Sequence, residues 1–217
     1  MRIAYFVDVH GHFDIVSQAL RKIGAVDVLV IGGDITRAGS LDEVTRAIEG
    51  WRPLAPQLFA VAGNWDSPEI DDRLTELGVS LNGRGVALGD IGFFGLSAAP
   101  ESPLHTPYEL NEKELGQRIE RGFASVRASR IRILCAHAPP KGTACDQTMS
   151  GQHVGSIAVR SFVEREQIDI VLCGHIHEGR AIDEIGTAKI VNPGPAMAGY
   201  YALVTAGDYP LVSLEAC

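Results

Sequence analysis

Cysteine is scarce in this sequence: Cys135, Cys145, Cys173 and Cys217 are all there is, and no two form a CxxC pair. Cys135 and Cys173 end the apolar runs ILC and IVLC, so they read as buried free thiols in strands rather than as disulfide partners. A reduced, cytoplasmic setting follows. Positive charge is also short, with 19 Lys and Arg against 27 Asp and Glu, a formal net charge of -8. An acidic chain is repelled by polyanions, which excludes an extended nucleic-acid surface but not a local cationic centre that binds one phosphate. No apolar run reaches the length of a membrane span. The opening residues, Met-Arg-Ile-Ala-Tyr-Phe-Val-Asp, read as a strand almost at once, so no signal peptide is expected. No repeat, low-complexity tract or linker divides the chain, and one domain over 1–217 is the simplest organisation.

What is present is an alternation of strand-like and helix-like segments. Residues 2–8 read as a buried strand, 13–23 as an amphipathic helix, 26–31 as a strand, 41–50 as a helix and 57–62 as a strand. Ser67-Pro68-Glu69 opens a helix that ends at Gly78, with Ser as N-cap and Pro at the first helical position. Residues 84–96 read as a hairpin turning at Gly89-Asp90. A proline-rich loop then leads to a helix through about residue 125, a strand over 131–136, and a polar loop over 137–154 too long for a mere connector. A helix over 156–166, a strand over 169–173 and three short strands, RAIDEI, AKIVN and one from Tyr200, finish the chain. The expected fold is α/β: a layered α-β-β-α sandwich with mixed sheets.

The polar residues fall at strand ends. The first strand delivers Asp8 and His10, the second Asp34, and the third Asn64 and Asp66; later strands deliver His137, His175 with His177, and Asn192. Ligands gather beyond the carboxyl ends of strands in such sheets. In an extended segment, residues two apart share a side, so Asp8 with His10, and His175 with His177, are each placed to chelate one ion. Imidazole mixed with carboxylate and amide oxygen suits borderline divalent metals such as Mn, Fe, Co or Zn and does not suit an all-oxygen calcium site. The glycines beside Asp34, Asn64 and His175 allow close backbone approach.

Taken in order, DVH (8–10), GD (33–34), GNWD (63–66), His137 in HAPP and GHIH (174–177) resemble the calcineurin-like metallophosphoesterase superfamily. VNPGP (191–195) is similar to the tail of its small bacterial and archaeal phosphodiesterase members. The resemblance implies a two-metal site. The expected cofactor is two divalent ions from among Mn, Fe, Co, Ni and Zn, with Mn favoured. Asp8, His10, Asp34 and His177 would hold one divalent ion; Asp34, Asn64, His137 and His175 would hold the other, with Asp34 bridging. It implies in-line attack of a bridging hydroxide on a small phosphodiester or nucleotide-like substrate. A phosphomonoesterase, a nucleotide phosphatase and a non-catalytic scaffold are the alternatives, and self-association is left open.

One residue departs from the pattern: Trp65 stands where the superfamily usually has a histidine that hydrogen-bonds the phosphate or protonates the leaving oxygen. Indole cannot transfer that proton. Either another group donates it, with His12 first and His153 second, or no donor is needed and Trp65 stacks on a base or an aromatic leaving group. Asp66 is expected to orient a metal-bound histidine or to sit at a helix N-terminus. Arg37, Glu178 and Arg180 lie near the motifs, and Asn192 is expected to cap its own loop.

Overall fold

The computed structural model describes residues 1–207 and 209–217. Burial alternates along strand β1 (Arg2–Phe6): Ile3, Tyr5 and, just beyond, Val7 enter one apolar cluster, while Ala4 and Phe6 enter another. A strand buried on both faces must lie between two covering layers. Strands β2 (Val28–Ile31) and β3 (Gln57–Ala60) pair in parallel with it and follow the same rule. Helices α1 (Phe13–Ile23), α2 (Leu41–Trp51) and α3 (Pro68–Glu76) supply Leu20, Ile48, Trp51, Ile70 and Leu74 to the Phe6 side.

The other side meets a second sheet. Its strands are β4 (Gly85–Leu88) and β5 (Ile91–Leu96), then β8 (Ile131–Ala136), β9 (Ile170–Leu172), β10 (Ala181–Ile185) and β11 (Ala188–Asn192). Their order is β10-β11-β9-β8-β5-β4, parallel in the middle and antiparallel at both edges. Phe59 and Phe93 meet between the sheets with ring centroids 5.2 Å apart. Truncating a buried phenylalanine such as Phe93 to alanine costs about 3–5 kcal/mol. Helices α4 (Glu112–Ala124) and α5 (Ile157–Arg165) cover the far face through Leu115, Phe123, Val159 and Phe162. The layers are therefore α-β-β-α, as the alternation predicts.

Local chemistry explains the helix starts. Ser40 with Glu43, and Asn111 with Glu114, form complete capping boxes, and Ser156 caps α5 through Val159 N–H. Ser67 does occupy the N-cap of α3 with Pro68 behind it, but its side chain makes no capping bond.

Two features were not expected. Strands β6 (Ala99–Pro100) and β7 (Glu109–Leu110) form a two-stranded parallel ladder inside the proline-rich loop. The Glu109 carboxylate closes that loop by accepting from Ser102 and Thr106, through both backbone and hydroxyl donors. The chain also finishes in two strands rather than one after Tyr200: β12 (Tyr200–Thr205) pairs antiparallel with β1, and β13 (Leu211–Ala216) adds the edge.

Candidate metal centre

Past the ends of β1 and β2 the backbone pairing continues. Asp8 N–H donates to Gly33 O, His10 N–H to Asp34 O and Gly11 N–H to Ile35 O. This locks the DVH and GD loops together. Neither loop is extended: Asp8, His10 and Asp34 have φ of 55°, 47° and 49°, and His175 has 66°. The extended-chain reason for pairing Asp8 with His10 and His175 with His177 is therefore wrong. Side chains converge because the backbone turns through the left-handed region, which costs strain that active sites commonly hold.

The motif glycines are required for contact more than for conformation. A Cβ on Gly63 would lie 2.1 Å from Asp34 Oδ1, and one on Gly174 would lie 2.2 Å from Val7 Cγ2 and 2.9 Å from Asp8 Oδ2. Among these three, Gly33 alone combines positive φ with such crowding, against His137 Nδ1 at 2.6 Å.

Seven side chains converge. His10 Nε2 and His137 Nε2 each stand 3.6 Å from Asp34 Oδ2. His10 Nε2 also faces His177 Nε2 at 3.4 Å, and His177 Nε2 lies 3.9 Å from Asp8 Oδ1. The His137 and His175 rings are 5.2 Å apart, and His175 N–H donates to the Asp8 carboxylate at 3.1 Å. One candidate ligand atom each from Asp8, His10 and His177 lie within 4.8 Å of one another, close enough to share an ion, and so do those of Asp8, Asp34 and His137.

The donor set fits a cation. His137 Nδ1 donates to Gly32 O at 2.9 Å, which leaves Nε2 as a lone pair, and that lone pair faces Asn64 Oδ1 at 3.0 Å. Two acceptors at hydrogen-bond distance with no proton between them are satisfied by a positive ion. Burial, helped by neighbouring imidazoles, holds His10 and His175 down to about 4 and about 3; burial alone dominates for His137, at about 4. Burial likewise pushes Asp34 up to about 7, and raises Asp8, with the Asp34 charge adding to it. Neutral imidazoles beside buried carboxylates are a donor set that suits a divalent cation.

The remaining predicted residues divide. Asp66 does not orient a histidine. It is fully buried and accepts from Ile35 N–H, Thr36 N–H, the Thr36 hydroxyl and Gly63 N–H, so it joins the GD loop to the GNWD loop. Trp65 is 43% exposed, while its backbone N–H donates to Asp34 Oδ1. It borders two cavities, both also lined by His177. The larger, about 600 Å³, takes in Asp34, Asn64, His175 and His153. The smaller, about 200 Å³, takes in His10, His12 and Arg37. Asn192 caps its loop through Gly194 N–H as expected, and donates to Ile176 O and Cys145 O besides. Glu178 accepts from Met149 N–H, and Arg180 stacks over Tyr200 instead of entering a cavity.

Sequence reasoning missed Asp146, a buried carboxylate at the centre of the 137–154 loop, and Asp71, which binds Ser97, Asn82 and Tyr108 behind the GNWD loop. Asp146 had a readable signal, the Thr143-x-x-Asp146 capping box; Asp71 had none, because its partners are remote in sequence.

Paired carboxylates and imidazoles just past the strand ends of two sheets form a candidate site for divalent metal. The chain belongs to the calcineurin-like phosphoesterase family, metal-dependent hydrolases of phosphate esters, whose profile matches residues 1–179. An uncharacterized protein of Methanocaldococcus jannaschii is 33% identical over 201 residues, covering 90% of this chain and 88% of that one. The fold is similar to that of a Thermus thermophilus protein, TM-score 0.74 at 14% identity over 98% of this chain and 97% of that one. It is also similar to a dimetal phosphatase from Danio rerio, TM-score 0.69 at 13% identity over 100% and 96%. These two likenesses concern the fold alone. No helix among the described residues is long and apolar enough to cross a membrane.

Proposed function

We propose that residues 1–217 act as one phosphodiesterase domain with two divalent ions, manganese favoured, in a cytoplasmic setting. Asp8, His10, Asp34 and His177 would hold one ion; Asp34, Asn64, His137 and His175 would hold the other. The ions would supply Lewis acidity and an activated water. The chain's own part is to hold these donors rigid through Asp66 and the motif glycines, and to receive the ester.

One observation carries the preference for a diester. Two cavities, about 600 Å³ and about 200 Å³, are both lined by Trp65 and His177 beside the candidate metal donors. A phosphodiester has two arms, and each cavity can take one. A monoester needs only one cavity. Arg37 and His12 in the smaller cavity favour an anionic or polar arm; Trp65 and Leu104 beside the larger one favour a planar or apolar arm.

The test is to strip the protein of metal, restore Mn²⁺, and compare bis-p-nitrophenyl phosphate with p-nitrophenyl phosphate. Metal-dependent cleavage of the diester above the monoester is expected. Preference for the monoester would make the protein a phosphomonoesterase, and cleavage of neither with two ions bound would favour a binding scaffold.

A further inference from the structure

Asp146 is the hub of the loop between β8 and α5. It is wholly buried, yet its carboxylate accepts from Gly142 N–H at 3.1 Å, Thr143 N–H at 2.8 Å, Gly155 N–H at 2.9 Å and His153 Nδ1–H at 2.7 Å. Burial alone would raise this carboxyl; the His153 bond and the backbone donors outweigh it and hold it below the ordinary range. The loop is built around that carboxylate. A Cβ on Gly155 would come within 2.5 Å of Pro139 O and 2.9 Å of Asp146 Cβ, and residues 147 and 153 pair across the loop as an antiparallel bridge.

The ring so held borders a cavity that candidate metal donors also line. His153 lines the about 600 Å³ cavity together with Asp34, Asn64, Trp65 and His175. Its Nδ1 is committed to Asp146, and its Nε2 has no hydrogen-bond partner among the described residues. His12 contrasts with it. Both side chains are exposed, but that of His12 makes no capping bond to α1 and has no carboxylate partner among the described residues. An imidazole fixed at Nδ1 by a buried carboxylate and open at Nε2 is the arrangement that moves protons at a defined point.

We propose that His153 Nε2 donates the proton to the departing ester oxygen, and that Asp146 positions it, which supplies the function that the indole of Trp65 lacks. The proposal rests on the phosphodiesterase reading above. The scissile P–O bond breaks with its electron pair on the departing oxygen, which takes the proton from Nε2 and leaves as an alcohol. The attacking water forms the new P–O bond and releases one proton to solvent, and solvent returns a proton to the neutral imidazole.

The test uses His153→Asn, whose side-chain N–H can replace Nδ1–H toward Asp146 and keep the loop. With Mn²⁺ loaded, kcat/KM for an alkyl diester, whose leaving group is poor, should fall about 10²–10⁴-fold. The value for bis-p-nitrophenyl phosphate should stay within about threefold, because nitrophenolate leaves without a proton. Added imidazole should restore part of the alkyl activity to His153→Ala. A second readout needs no turnover: in the Zn²⁺-loaded, ¹⁵N-histidine-labelled protein, tungstate should shift the His153 Nε2 resonance, and His153→Asn should remove that signal. Equal losses on both esters, or a His153 resonance unmoved by tungstate, would overturn the proposal. If the wild type cleaves no diester, the phosphodiesterase reading fails by itself, and the tungstate titration still decides whether His153 faces the phosphate.

Discussion

Asp66 Oδ1 accepts both the backbone N–H and the hydroxyl of Thr36 at 2.9 Å, across 30 residues of sequence. With Ile35 N–H and Gly63 N–H on Oδ2, one buried carboxylate closes two loops that each carry a candidate metal donor. Asp66→Ala leaves four buried donors unsatisfied, at about 1–3 kcal/mol each before relaxation. The variant is expected to unfold at lower denaturant and to lose most of its metal even where it folds. Equilibrium urea unfolding with and without Mn²⁺ checks this, and an unchanged midpoint would show that the joint is dispensable.

Gly63 and Gly50 should respond in opposite ways to the same methyl group. At Gly63 the new Cβ meets Asp34 Oδ1 at 2.1 Å and Asp34 N at 2.3 Å, both of them parts of the proposed bridging residue. At Gly50, inside α2, nothing lies within 4 Å. Gly63→Ala is expected to abolish tight metal binding, and Gly50→Ala to stabilise the fold by about 0.5–1 kcal/mol. Metal content and thermal unfolding of the two purified variants measure both effects.

How far these residues are readable without a structure depends on where their partners lie. The four-layer fold and the seven candidate metal donors are written as apolar runs that end in short motifs, so Asp34 and His137 could be named from sequence. The reason for their convergence could not. Positive φ at Asp8 and His10 goes with backbone pairing to the neighbouring strand's loop, which no local pattern displays. Asp66 shows the same limit: its position after Trp65 suggests a helix N-terminus, yet its donors come from residues 35 and 36. The β13 edge strand was missed because its residues are exposed or half-buried and give no full core face.

The metal-free site should release protons from carboxylic acids rather than from imidazoles. Burial pushes Asp34 up to about 7, so at pH 6 it keeps its proton, whereas His10 and His137, held to about 4, are already neutral. A divalent ion must displace the Asp34 proton below pH 7. Its affinity should therefore drop about tenfold per pH unit per displaced proton as pH falls through 7. An unperturbed aspartate would delay that loss until near pH 4. Calorimetric titration with Mn²⁺ in two buffers of different ionisation enthalpy counts the protons. Affinity unchanged between pH 8 and 5 would show that Asp34 is ionised throughout, and Asp34→Asn should bind more weakly with a shallower pH slope.

Trp65 offers its indole to ligand, and Trp51 does not: their exposures are 43% and 1%. A planar base in the larger cavity can stack on Trp65, an interaction worth about 1–3 kcal/mol per base. Trp65→Ala in the metal-loaded protein should therefore weaken a nucleoside monophosphate about 5–150-fold, from that same stacking energy. Inorganic phosphate should be nearly unaffected, since it meets only the metal donors. Fluorescence gives the same comparison directly: the monophosphate should quench the exposed tryptophan, and Trp51, buried against α1, should be silent. Competition binding of both ligands to wild type and variant decides the matter. If the two affinities fall by the same factor, Trp65 shapes the phosphate site itself and contributes no stacking to substrate choice.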